Sequence, residues 1–203
     1  MASLEQIEDF LQPVALEATK LLNISPPEGE DAESFIDPKI LICSRVAFSQ
    51  VENFLKRSVI KNTYKERHGN ICEDLYFKNF PVTKVTSVNI RAKMFSEPSL
   101  LVVTEDYAFD RNKLFFTLPL HVGIVDVVLQ GGFDSADEDS GLFYGLLQQT
   151  MANYNRKETT GLRTVNGGGE SGGSVTVSDA GGLVNAAKIS LEPLVYYGNA
   201  EDL

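Results

Sequence analysis

The chain has 203 residues, enough for one domain with a hydrophobic core, with or without arms. Its 43% hydrophobic and 23% charged content is ordinary for a globular protein, and its apolar runs are too short to cross a bilayer. The formal net charge of −10 argues against a protein that wraps nucleic acid, because phosphate binding uses Lys and Arg to displace counterions; it does not exclude a passage that nucleic acid slides through, since an acidic wall repels phosphates.

The acidic, amphipathic start MASLEQIEDF does not read as a signal peptide. Ser3 followed by Gln6 has capping-box spacing, and Leu4, Ile7, Phe10, Leu11, Val14, Ala18, Leu21 and Leu22 fall on one helical stripe. Pro13 is expected to kink this helix or to start a second one. A Pro- and acid-rich linker covers 25–37. Asp37-Pro38 then opens a second helix, an N-cap followed by proline at the first helical position. Its stripe (Ile40, Cys43, Ala47, Val51, Phe54, Leu55, Val59) extends it to about residue 61, with Lys56 and Arg57 complementing the dipole of its last turns. Of the two cysteines, Cys43 lies in this stripe and Cys72 near a strand start. Buried free thiols in a reducing cytosol are expected rather than a disulfide.

From Ile71 the period changes to two, with Leu75 and Phe77 alternating with charged residues before Phe80-Pro81. Residues 82–92 are β-branched. Residues 106–110 and 113–118 flank Arg111-Asn112, a tight hairpin turn. The strongest strand is 121–130, with Val125, Val127 and Leu129 on one face and Ile124, Asp126 and Val128 on the other; Gly131-Gly132 ends it. Four or five short antiparallel strands in one sheet are expected. After the acidic loop 134–139, Ser140 is the candidate N-cap of a third helix over 141–157. The Gly-rich stretch 165–174 cannot pack a core, and apolar character returns over 183–197 as a short helix or an extended strip.

The reading is an α+β fold: a helical bundle with a small antiparallel β-sheet and a flexible C-terminal arm. It divides into an N-terminal helix (1–24), a linker (25–37), a core of helices and sheet (38–160), a Gly-rich linker (161–182) and a C-terminal segment (183–203).

Each candidate for chemistry has a stronger bland reading. His68 and Cys72 are four apart, but Gly69-Asn70 between them favours a turn, and zinc needs three or four ligands. His121 lies at a strand entrance outside any nucleophile motif. The acidic group Asp134, Asp137, Glu138 and Asp139 lacks the spacing and central glycine of a calcium loop. The glycine stretch lacks the preceding strand and following Lys-Ser/Thr of a phosphate loop. No catalytic residue, metal site or cofactor site is assigned.

Several local patterns, in order, resemble the head–tail connector (adaptor) family of tailed bacteriophages. They are the helix Arg45-Val46-Ala47-Phe48-Ser49-Gln50-Val51-Glu52-Asn53-Phe54-Leu55-Lys56-Arg57 and the step Phe80-Pro81-Val82 with Val85-Thr86-Ser87-Val88 after it. Then come a strand closing on Gly131-Gly132-Phe133, a helix with Gln148, Tyr154, Asn155 and Arg156, and the ending Leu191-Glu192-Pro193-Leu194-Val195-Tyr196-Tyr197. The match spans about 38–197. The N-terminal helix is longer than in compact members, and the family's arginine is missing from the ending. The resemblance implies a non-catalytic virion protein assembled in the host cytoplasm. It would form a ring, usually a dodecamer, beneath the portal, extending the DNA channel and giving neck or tail proteins a platform. DNA would pass without specific binding, and no membrane would be involved. On this reading 183–203 is a docking segment, with Leu191, Pro193, Leu194, Tyr196 and Tyr197 as portal anchors. The competing reading packs 183–197 back on its own domain as a last core helix. Other classes remain: a stopper or tail-completion module, expected to be smaller and β-barrel-like, or an enzyme with a site near His68 or His121.

Overall fold

Helix α1 (Leu4–Leu21) begins with both halves of its capping box formed. The Gln6 N–H donates to Ser3 Oγ at 3.2 Å and the Ser3 N–H to Gln6 Oε1 at 2.8 Å. The computed structural model describes residues 3–71, 74–91, 97–101, 105–117, 122–159 and 182–195. Pro13 lies inside α1 without dividing it. The carbonyl it leaves without an N–H donor is that of Asp9, an exposed residue, so solvent can replace the lost bond. Phe10, Leu11, Val14, Ala15, Ala18 and Thr19 are the buried stripe, while the expected stripe ends, Leu4 and Leu21, are exposed.

Helix α2 (Pro38–Leu55) is capped as its sequence indicates: Asp37 Oδ1 accepts from the N–H groups of Lys39 at 2.7 Å and Ile40 at 3.3 Å. It ends six residues earlier than the stripe suggests. Lys56 takes a left-handed φ of +53°, which stops the helix. Arg57 therefore does not cap the α2 dipole; its guanidinium stacks on the Phe80 ring at 3.9 Å and donates to the Phe80 carbonyl. Cys43 is buried, as expected.

Helix α3 (Ser140–Thr159) is capped by Asp139, whose Oδ1 accepts from the Leu142 N–H at 2.9 Å; Ser140, the expected cap, is already helical. Helix α3 packs against α1, α2 and a fourth helix, α4 (Asn185–Leu191). These helices make one compact unit. Its core is built from Leu11, Val14, Ile40, Ala47, Val51, Leu142 and Leu146, with Phe10 meeting Phe48 edge to face at 5.8 Å. Phe54 is half-buried rather than central.

The strands make a second unit, residues 56–134 among those described. They are β1 (Asn62–Ile71), β2 (Leu75–Tyr76), β3 (Val82–Arg91), β4 (Ser99–Leu101), β5 (Tyr107–Phe109), β6 (Lys113–Phe116) and β7 (Val122–Gly131). The one-sheet expectation is corrected. The described strands form two antiparallel sheets, ordered β1-β7-β3-β4 and β2-β6-β5. Strand β7 alternates as its sequence requires, and Val125, Val127 and Leu129 join Leu75, Phe77, Val82, Val88, Tyr107 and Leu114 in the cluster that the two sheets share. The β5–β6 hairpin turns at Arg111-Asn112, closed by a 2.8 Å bond from the Asp110 N–H to the Lys113 carbonyl.

Strand β1 occupies a stretch to which the sequence assigns no strand and in which Gly69-Asn70 suggest a turn. Its inward residues explain the miss: Glu66 and His68 are buried there instead of apolar side chains. Gly131 has to be glycine, because a Cβ there would lie 2.0 Å from the Asn79 carbonyl oxygen.

The buried α3 residue Leu146 sets a quantitative expectation. Leu146→Ala should destabilise the helical unit by roughly 2–5 kcal/mol, transfer plus cavity, and half-buried Phe54→Ala by clearly less than the roughly 3–5 kcal/mol of a fully buried phenylalanine. Urea unfolding followed by far-UV circular dichroism measures both; equal costs would place Phe54 in the core after all.

Candidate assembly surfaces

His68 sits on β1, not in a turn, and its side chain is 1% exposed. The Nε2 is 2.9 Å from Glu66 Oε2, and the Glu66 carboxylate also accepts from the backbone N–H groups of Lys78 (3.0 Å) and Asn79 (2.8 Å) and from Asn79 Nδ2 (2.9 Å). Four donors thus converge on one buried carboxylate. Burial alone would raise the Glu66 pKa, but the bonds from His68, Lys78 and Asn79 outweigh it and hold the carboxyl below its usual range. The group is a structural clasp tying β1 to the segment that leads into β3. Among the described residues no group of three or more His, Cys, Asp or Glu could hold a metal ion. Cys72, His121 and the glycine stretch 165–174 lie outside the described residues.

The acidic loop is taken up locally. Asp134 pairs with Lys61 at 2.5 Å, Ala136–Glu138 form a 3-10 turn, and Asp139 caps α3.

The C-terminal segment does not form a free strip where it is described. Leu183 just before α4, Ala187 and Leu191 on it and Leu194 in the following 3-10 turn (Glu192–Leu194) are all buried. Helix α3 makes room for them by omitting side chains: a Cβ on Gly145 would lie 2.6 Å from Leu191 Cγ, and one on Gly141 2.6 Å from the Ser190 carbonyl oxygen. A buried amide network fastens the entry. Gln149, 0% exposed, accepts from the Val184 N–H at 2.8 Å, while its Nε2 donates to Gln50 Oε1 at 2.8 Å and Asn153 Oδ1 at 3.1 Å. Of the expected anchors, Leu191 and Leu194 therefore serve the chain's own core, since burying them on α3 removes more apolar area from water than leaving them on an arm. Pro193 is exposed, as is Ile189 at 71%; Tyr196 and Tyr197 lie outside the described residues. The Gln50–Gln149–Asn153 network had no sequence signal beyond polar residues at positions the helical stripes would assign to the interior.

On the four-stranded sheet, the face away from the shared cluster carries charge. Asp126 of β7 stands between Arg67 of β1 and Arg91 of β3, at 2.6 and 2.9 Å, with Lys65 exposed beside them. A hydrogen bond from Arg67, with Arg91 adding to it, holds the Asp126 carboxyl below the ordinary aspartate range. Together with Glu66, Val127 and Val128 these residues line an open groove of about 400 Å³.

Two outcomes follow. Deleting the residues after Gly182 should lower the melting temperature of the chain, since it uncovers Gly141, Gly145 and the Gln149 amide; an unchanged melt would mean that α4 adds nothing to the core. The Glu66 clasp should also give an acid-sensitive stability. Because its folded pKa is lowered, its contribution is fully present above the unfolded value, about 4.3, and is lost as pH falls through the folded value. Glu66→Gln should cost roughly 3–5 kcal/mol at neutral pH and flatten that acid limb in pH-dependent urea melts.

No family model matches the chain, and no curated protein matches it. Solved structures do. A chain in the neck of an empty gene transfer agent particle, computed with C6 symmetry, matches with a TM-score of 0.54 at 14% identity over 98% of this chain and 95% of that one. A chain in the neck of the native particle, computed with C12 symmetry, matches with a TM-score of 0.50 at 13% identity, covering 98% and 94%. At such identities the likeness is one of fold: this α+β chain has the fold of chains found in the necks of gene transfer agent particles.

Proposed function

We propose that the chain is a structural subunit of the head–tail neck of a tailed-phage-like particle, an adaptor that assembles as a ring, a dodecamer, beneath the portal. The observation that carries this reading is a fold match running nearly end to end on both chains, to a chain in a neck, which takes in the stretch 38–197 on which the sequence resembles head–tail connectors. It has no catalytic role in this reading. The ring extends the DNA channel and presents a platform to the next neck or tail protein, and it is a component of the virion. The net charge of −10 disfavours retention of DNA in the channel.

Portal attachment is assigned to the C-terminal segment, in a form that respects its packing. Leu191 and Leu194 hold the segment on α3, and exposed Pro193, with Tyr196 and Tyr197 after it, meets the portal. Side-by-side subunits in such a ring meet through unlike surfaces, so that rotation closes the assembly.

The test is attachment to portal-bearing, DNA-filled capsids that lack neck proteins. The purified chain should bind as a ring visible by cryo-electron microscopy, and Pro193→Ala combined with Tyr196→Ala and Tyr197→Ala should weaken attachment at least about ten-fold without changing the melt. Absence of any portal-associated density at saturating protein would sink the neck assignment. Full attachment of the triple variant would sink only the docking assignment.

A further inference from the structure

The net charge of −10 hides a strong asymmetry. Residues 56–134 carry 11 Lys and Arg against 9 Asp and Glu, a net of +2; the remaining residues carry 7 against 19, a net of −12. The outer face of the four-stranded sheet concentrates the positive part. The groove there is lined by Lys65, Arg67 and Arg91 against two carboxylates, Asp126 and Glu66, the latter buried in its own hydrogen bonds, so it keeps a net positive charge, with Val127 and Val128 completing its lining. The negative part has its own concentration. No Lys or Arg occurs between Lys20 and Lys39, while Glu28, Glu30, Asp31, Glu33 and Asp37 do. Asp37 is used as the α2 cap, but residues 28–33 are all exposed. Asp31 shapes 31–34 into a turn by accepting from the Glu33 N–H at 3.1 Å and the Ser34 hydroxyl at 3.2 Å, and Glu28, Glu30 and Glu33 stand exposed.

We infer that the cationic outer face of the sheet is a docking surface for the acidic segment 28–33 of a second copy of this chain. The inference rests on the ring reading above, in which every copy offers its neighbour one surface of each kind. Three considerations favour a second copy over nucleic acid as the occupant. Arg67 and Arg91 are already partly neutralised by Asp126, so the face offers too little free cation to grip a phosphate backbone, whose binding scales with the number of phosphates neutralised. The segment 28–33 carries four carboxylates (Glu28, Glu30, Asp31 and Glu33) on two successive exposed turns, a charge complement to the groove. In a heterologous contact, moreover, unlike surfaces of identical chains meet, and opposite charge fixes the register while like-charged pairings are rejected.

The experiment measures self-association of the full chain by sedimentation equilibrium, from about 50 mM to about 500 mM salt. Three forms join the unaltered chain: Lys65→Glu with Arg91→Gln; Glu28→Lys with Glu30→Lys and Glu33→Lys; and both sets together. Arg67 remains on Asp126 throughout, so the sheet keeps its central pair, and melts by circular dichroism check each fold. Lys65→Glu alone replaces the first set if that set unfolds. The expected result is salt-weakened association of the unaltered chain, a loss of about ten-fold or more for either set, and recovery when the sets are combined. The proposal is overturned by an unaltered chain that stays monomeric, by either set leaving association unchanged, or by no recovery in the combined form. It is equally overturned if the sheet-face set abolishes binding to a labelled DNA duplex while self-association persists, which would make phosphate the occupant. Attachment to portal-bearing capsids is read separately, so failure of the neck reading would show there and failure of this contact in the sedimentation data.

Discussion

The helical unit depends on α3 being a wall shared by three other helices. One helix face cannot serve α1, α2 and α4 with large apolar side chains alone, because the interior is close-packed and each partner needs its own separation. Helix α3 solves this by mixing sizes: Leu142 and Leu146 fill the core, Gly141 and Gly145 bring α4 to backbone contact, and Gln149 spans to α2 and the entry of α4 through hydrogen bonds. The amide is tolerated at zero exposure because both of its ends are satisfied. The C-terminal segment is thereby converted from an apolar tail into part of the core, and what it can offer to a partner is reduced to its outer side.

The sheet unit is organised by a different economy. Its inner cluster is apolar on β3 and β7, but β1 contributes a carboxylate and an imidazole that make their own bonded site. Glu66 receives the backbone donors of Lys78 and Asn79, groups that the sheet ladders leave without strand partners. The same strand, read on its other face, carries Lys65 and Arg67. Strand β1 thus separates a buried anionic clasp from an exposed cationic face by the two-residue alternation alone.

Much of the architecture was legible wherever local signals agree. The caps at Ser3 and Asp37, the helical stripes through Val14 and Val51, the alternation of Val125, Val127 and Leu129 and the turn at Arg111-Asn112 each combine a backbone preference with a matching hydrophobic period. Reading failed where one signal was missing. With Glu66 and His68 inward and only Tyr64 beside them as a hydrophobic residue, β1 lacks a strand's apolar alternation, and the stripe overruns α2 because Val59 continues it while nothing in the side-chain pattern announces the left-handed Lys56. The assembly residues were half-visible: Asp126 and the acidic run 28–33 are plain in the sequence, but the gathering of Lys65, Arg67 and Arg91 around Asp126 needs strand register.

By itself the sequence determined the class of the fold, the positions of the helices, the central strand and the division of charge along the chain, because periodicity, capping and composition are properties of neighbours in the chain. Only the tertiary structure decided which segments share a surface. It split the strands into two sheets, seated Leu191 on Gly145 and set two arginines from separate strands on one aspartate. Those outcomes depend on contacts between residues dozens of positions apart, whose energies are set by packing and desolvation in three dimensions and leave no period in the sequence to read.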